Sequence, residues 1–140
     1  MPLVVPNAGE LVLLNQMLRL SLSTQDTHVL KLYNNNYSPV AASTTANFTP
    51  TTFVGYAPKT LTRAGWAAPA TVGLNAECSY TTIQSWTCGS VGDTVYGYYV
   101  TRGSNDSIMW AEIFTTPRAL GQGDILNITP KFTLSSENNN

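Results

Sequence analysis

Val95–Phe114, VYGYYVTRGSNDSIMWAEIF, is the stretch on which the fold turns: two runs of aromatic and β-branched residues meet at Gly-Ser-Asn-Asp. Such runs around a turn signal read as a β-hairpin. If Gly103 to Asp106 form the loop, Arg102 lies opposite Ser107, Tyr99 opposite Trp110, Gly97 opposite Glu112 and Val95 opposite Phe114. One face then carries Val95, Gly97, Tyr99 and Thr101 against Ile108, Trp110, Glu112 and Phe114, and the other carries Tyr96, Tyr98 and Val100 beside Met109, Ala111 and Ile113. Both faces are apolar. A sandwich covers one face of each sheet, so the second must be covered by an N-terminal helix, by a long loop, or by another chain.

Working outward, the pattern stays strand and turn. His28–Tyr33 alternates and stops at Asn-Asn-Asn; Ala41–Thr52 is a Ser- and Thr-rich loop carrying Phe48. Strands are expected at Phe53–Tyr56, Lys59–Thr62, Tyr80–Thr87, Thr94–Arg102, Ser107–Thr115 and Ile125–Leu134, with a loop at Ala64–Gly73 that holds Trp66. In Ile125–Leu134 the residues Leu126, Ile128, Phe132 and Leu134 alternate with Asn127, Thr129, Lys131 and Thr133, as in a strand with one face in the core. Pro130 places that strand at an edge or on a bulge.

One helix is expected near the start. Asn7 caps it with Glu10 three residues on, and Leu11, Leu13, Leu14, Met17, Leu18 and Leu20 give an apolar stripe opposite Asn15, Gln16 and Arg19. The helix either plugs the domain's own core or docks on a neighbouring subunit. With no βαβ rhythm, the fold class is all-β: an antiparallel β-sandwich, of the jelly-roll kind, with one short N-terminal helix. Residues 1–140 read as a single domain, 1–22 an N-terminal arm and helix and 135–140 a flexible tail.

Only 11% of the residues are charged, against about a quarter in ordinary soluble domains. A surface so short of charge is poorly defended against association, which favours an assembly component. The net charge of -1, with seven Lys and Arg scattered singly, offers no stripe for a row of phosphates, so direct nucleic-acid binding is not expected. The opening MPLVVPNAGELVLL lacks a basic n-region, and no segment reaches the roughly 18 to 20 apolar residues of a membrane span. The chain reads as made in a cytoplasm, without a membrane partner. The sequons at Asn47, Asn105 and Asn127 carry no weight in such a chain.

Chemistry-bearing motifs are sparse. Glu112, on an apolar face, has no second acid or base assigned to it. The one histidine, His28, shares a face with Leu30 and Leu32 and reads as a hydrogen-bonded core imidazole. Two cysteines and one histidine do not make a usual zinc site, and neither a phosphate loop, a calcium loop nor a nucleophile elbow is present. No catalytic, cofactor-binding or metal-binding residue is assigned, no cofactor is expected, and the chain reads as not an enzyme. Cys78 and Cys88 lie about 30 Å apart if the segment between them is one extended strand, so they read as free thiols unless the chain reverses.

VVPNAGELVLLNQML, VLKLYNNNYSP, VYGYYVTRG followed by MWAEIF, and DILNITPKFTL resemble segments of small virion proteins of tailed bacteriophages and cyanophages, similar to the jelly-roll cement, or decoration, proteins that reinforce a capsid from outside. The resemblance implies a homodimer or homotrimer on the outer capsid surface of the virion, bound to the major capsid protein. The strand and helix pattern, not the resemblance, nominates the contact residues: Leu11, Leu14, Met17 and Leu18 on the helix, and Tyr96, Tyr98 and Met109 on the sheet. The alternative is a tail-fibre, receptor-binding or carbohydrate-binding module in which Trp66 stacks on a sugar.

Overall fold

The computed structural model describes residues 11, 14–19 and 27–135. Among them the chain is all-β and antiparallel throughout, the class expected for a sandwich. The strands are β1 His28–Tyr33, β2 Lys59–Leu61, β3 Ala70–Val72, β4 Asn75–Ser79, β5 Gln84–Thr87, β6 Asp93–Arg102, β7 Ile108–Leu120, β8 Ile125–Ile128 and β9 Lys131–Ser135. They form a four-stranded sheet in the order β2-β1-β6-β7, a three-stranded sheet β3-β4-β9, and a β5-β8 pair. In the four-stranded sheet β1 pairs with β2 and β6, and β6 with β7, each antiparallel.

The chain divides into two compact units, one of 1–25, 62–83 and 129–140, the other of 26–61 and 84–128. In the first, β4 pairs with β3 and β9. Trp66 stands edge-on to Tyr80, ring centres 5.3 Å apart. Gly65 permits this, since a Cβ there would lie 2.3 Å from the Tyr80 ring. A turn of wide helix, Asn15–Arg19, is tied to the same unit: Arg63 donates to the Met17 carbonyl at 2.6 Å and Arg19 to the Trp66 carbonyl at 3.1 Å. The expected cap at Asn7 and Glu10 and the tail beyond Ser135 lie outside the described residues, as do Leu13 and Leu20.

In the second unit the β6–β7 hairpin forms where expected, and Arg102 N–H donates to the Ser107 carbonyl at 2.9 Å. Its register differs by one residue from the simple count. A bulge at Met109 sets Val100 opposite Trp110, Tyr98 opposite Glu112 and Gly97 opposite Ile113. The turn residue Asp106 takes the left-handed conformation, φ 59°, and is ion-paired to Lys31. The bulge in β7, not the turn, thus absorbed one residue that strand counting could not see.

One face of this sheet carries His28, Leu30, Leu32, Leu61, Tyr98 and Val100, all buried. The other is covered by the chain itself. Phe48, brought in by the 34–58 loop, stacks on Tyr99 at 4.6 Å and 18° and meets Tyr33 edge-on at 4.9 Å; Tyr37, Tyr96, Ile108 and Ala111 pack around them. Gly97 makes this close fit possible, because a Cβ there would fall 2.5 Å from the Tyr33 hydroxyl and 2.2 Å from the Glu112 carbonyl oxygen.

Asp93 fastens the covering loop. One of its carboxylate oxygens accepts from the Asn34 amide at 2.9 Å, the Thr51 hydroxyl at 2.7 Å and the Thr52 N–H at 2.8 Å, and the other accepts from Thr94 N–H at 2.8 Å. Burial raises its pKa, but these hydrogen bonds to the charged form outweigh burial and hold it below the ordinary aspartate value.

Other strand expectations are corrected. Phe53–Tyr56 is a turn, with Gly55 at φ 97°; β3 lies where loop was expected, and β4 in a stretch to which no element was assigned; and β7 runs five residues past Thr115. The expected Ile125–Leu134 strand breaks at Thr129–Pro130, β8 pairing with β5 and β9 with β4. Leu126 and Ile128 are buried and Phe132 and Leu134 half-buried, so the alternation survives the break.

Candidate functional site

β7 is an edge strand, and its second half departs from the ladder. Between the pairs Gly97–Ile113 and Val95–Arg118, the four residues Phe114 to Pro117 lie opposite Tyr96 alone. Pro117 has no N–H for a ladder, and a wide bulge is a usual place for it. Beside this bulge opens a cleft of about 460 Å³, lined by Glu112, Phe114, Thr115, Thr116, Arg118 and Asn127 over a floor of Leu126 and Ile128.

Glu112 is held at the cleft wall. It projects from the same face as Tyr98, whose hydroxyl donates to its carboxylate at 2.8 Å. Burial, then the hydrogen bond to Glu112 and its charge, push the Tyr98 phenol well above its ordinary pKa, so it stays a protonated donor across the neutral range. Asn127, in β8, accepts from the Ser85 hydroxyl with its side-chain oxygen, which leaves its NH₂ directed elsewhere. Arg118 forms no ion pair among the described residues.

A second depression of about 440 Å³ lies over the aromatic cover, between the Lys31–Asp106 pair and the rings of Phe48, Tyr56 and Tyr99. Phe48 and Tyr99 are almost fully buried, and Tyr99 is pushed up to about 12 chiefly by that burial. It is packing more than it is a binding surface.

The nominated contact residues separate. Leu14, Leu18 and Tyr98 are buried, at 0%, 0% and 4% exposure, and hold the fold; Leu11, Met17, Tyr96 and Met109 are half-buried. Trp66 is 2% exposed, so it is not the stacking platform expected of a loop tryptophan. Cys78 and Cys88 are both free and buried. Burial pushes the Cys78 thiol up to about 11 against the opposing pull of Arg19, which leaves it a poor nucleophile. His28 is buried with Leu30 and Leu32, its ring 6.0 Å from Trp110.

Thr115, Thr116, Arg118 and Asn127 were not singled out in the sequence. The signal that could have found them is Pro117 within a strand pattern, which announces an interrupted edge. Among the described residues there is no cluster of metal-ligating side chains and no helix long and apolar enough to cross a membrane. No protein-family profile, curated protein or solved structure matches the chain.

Proposed function

We propose that the protein is a structural subunit of a virion that binds the outside of the capsid and stabilises it, acting as a homo-oligomer on the major capsid protein. The observation that carries this reading is a group of exposed aliphatic side chains, two on loops and one at the start of β8, at one end of the second unit. Val54, Val91 and Ile125 are 48%, 59% and 54% exposed. Their loops are fastened to one another: Val54 N–H donates to the Val91 carbonyl at 3.0 Å, Gly89 N–H to the Val54 carbonyl at 2.7 Å, and Ile125 pairs with Thr87.

Side chains held so, on a chain with 11% charged residues, suit a protein surface that is itself apolar and weakly charged. A subunit that binds the assembled shell and not its free parts stabilises the shell by mass action, and many copies turn a modest affinity into a large effect. The residues argue against chemistry in the same terms: among the described residues Glu112 is the one carboxylate lining its cleft, and its partner Tyr98 is a buried, protonated phenol.

The test is co-sedimentation with capsids that lack the protein, followed by heating of loaded and bare shells. Saturable binding that raises the rupture temperature is expected, and Val91→Asp with Ile125→Asp should abolish it in a normally folded protein. Failure of the wild type to sediment with shells, or undiminished binding by the double variant, would overturn the reading.

A further inference from the structure

We propose that the cleft beside the β7 bulge is a binding site for a neutral saccharide. This goes beyond the shell-binding reading and does not rest on it, since the cleft and the aliphatic loops use different residues.

The argument begins with the bulge. Four residues of β7 opposite one of β6 end the ladder locally and leave Thr115 and Thr116 exposed at the cleft. Bulges of this kind re-aim side chains at sheet edges and beside binding sites. Here the re-aimed groups meet complementary ones: the Glu112 carboxylate accepts, the Arg118 guanidinium donates, the two threonine hydroxyls do both, and Asn127 has its NH₂ left to donate.

One acid and one base leave the cleft with little net charge, which selects against phosphate or a metal cation and for a neutral ligand rich in hydroxyls. Phe114, half-buried, offers a surface for the C–H face of a sugar ring. A volume of about 460 Å³ lies within the range of small-molecule sites. The Tyr98 hydroxyl, 2.8 Å from the carboxylate, holds Glu112 in place before a ligand arrives. Glycoside hydrolysis by the usual route needs a pair of carboxylates, and among the described residues the cleft supplies one, which suits binding rather than cleavage.

The test uses the ¹⁵N-labelled full chain and two-dimensional amide spectra, titrated separately with methyl β-D-glucopyranoside, methyl β-D-galactopyranoside and N-acetyl-D-glucosamine, with glycine as a zwitterionic comparison. At least one sugar should give saturable shifts at the amides of Thr115, Thr116, Arg118 and Asn127. Arg118→Gln and Asn127→Ala, both at exposed positions, should each weaken that binding tenfold or more while the remaining spectrum is unchanged. The proposal fails if none of the three sugars gives saturable shifts there, if both variants bind like wild type, or if glycine shifts these amides and the sugars do not.

Discussion

The two halves of the β6–β7 pair use the same kind of sequence for opposite ends. From Gly97 to the turn, the hairpin keeps its partners after one bulge, and the aromatic rings of Tyr33, Phe48 and Tyr99 close over it. From Phe114 to Pro117 the ladder yields, the Thr115 and Thr116 side chains are exposed, and a cleft stands open. The closed half concentrates apolar burial, which is what holds a β-hairpin against solvent. The open half forgoes paired backbone and gains exposed donors and acceptors. Stability and recognition are thereby assigned to different stretches of one strand.

The sharpest way to break this division is to remove the ring that closes the first half. Phe48→Ala should cost about 3–5 kcal/mol, the range for deleting a buried aromatic, read as a lower denaturant midpoint. It should also raise hydrogen exchange in the 34–58 loop while leaving Thr115–Arg118 unaffected. A spread of the effect to the cleft amides would show that the halves are not independent.

Gly97→Ala tests the same closure from the opposite strand. Its methyl would meet the Tyr33 hydroxyl at 2.5 Å and the Glu112 carbonyl at 2.2 Å, so one of them must shift. A loss of about 3 kcal/mol is expected, at the upper end for overpacking.

Asp93 comes next, as the latch of the loop. Asp93→Ala leaves Thr51, Thr52 and Asn34 without their shared acceptor and should cost about 2 kcal/mol at neutral pH. Because the folded-state pKa lies below the unfolded value of 3.8, the contribution is complete above that pH and is lost as pH falls through the lower folded value. Thermal melts from pH 7 down to pH 2 should show an acid-dependent loss in the wild type that is smaller in Asp93→Ala.

The smallest effect belongs to the open half. Tyr98→Phe keeps the ring in its buried place and removes one hydrogen bond to a solvent-facing carboxylate, for about 1 kcal/mol. If the cleft is built as described, this variant should weaken sugar binding more than it lowers the melting temperature, since Glu112 loses its fixed orientation.

Much of the closed half was legible. Alternation located β1 to its ends and most of β6, and the Gly-Ser-Asn-Asp signal located the turn. A loop was among the covers expected for the second apolar face, but nothing local singled out Phe48, since its partners Tyr33 and Tyr99 are distant in the chain. The register was not legible either. Side chains alternate with period two, so the extra residue at Met109 moved Glu112 from Gly97 to Tyr98 and gave the carboxylate its hydrogen bond.

The sequence by itself determined that this chain is built of antiparallel strands, that it is short of charge, and that both faces of its central hairpin are apolar, because periodicity and composition are local properties. Tertiary structure alone decided that Phe48 covers one of those faces, that Trp66 and Tyr98 are buried, and that Glu112, Arg118 and Asn127 line a common cleft. Those outcomes depend on where a bulge inserts residues and where a loop returns, and both are settled by packing between segments far apart in the chain.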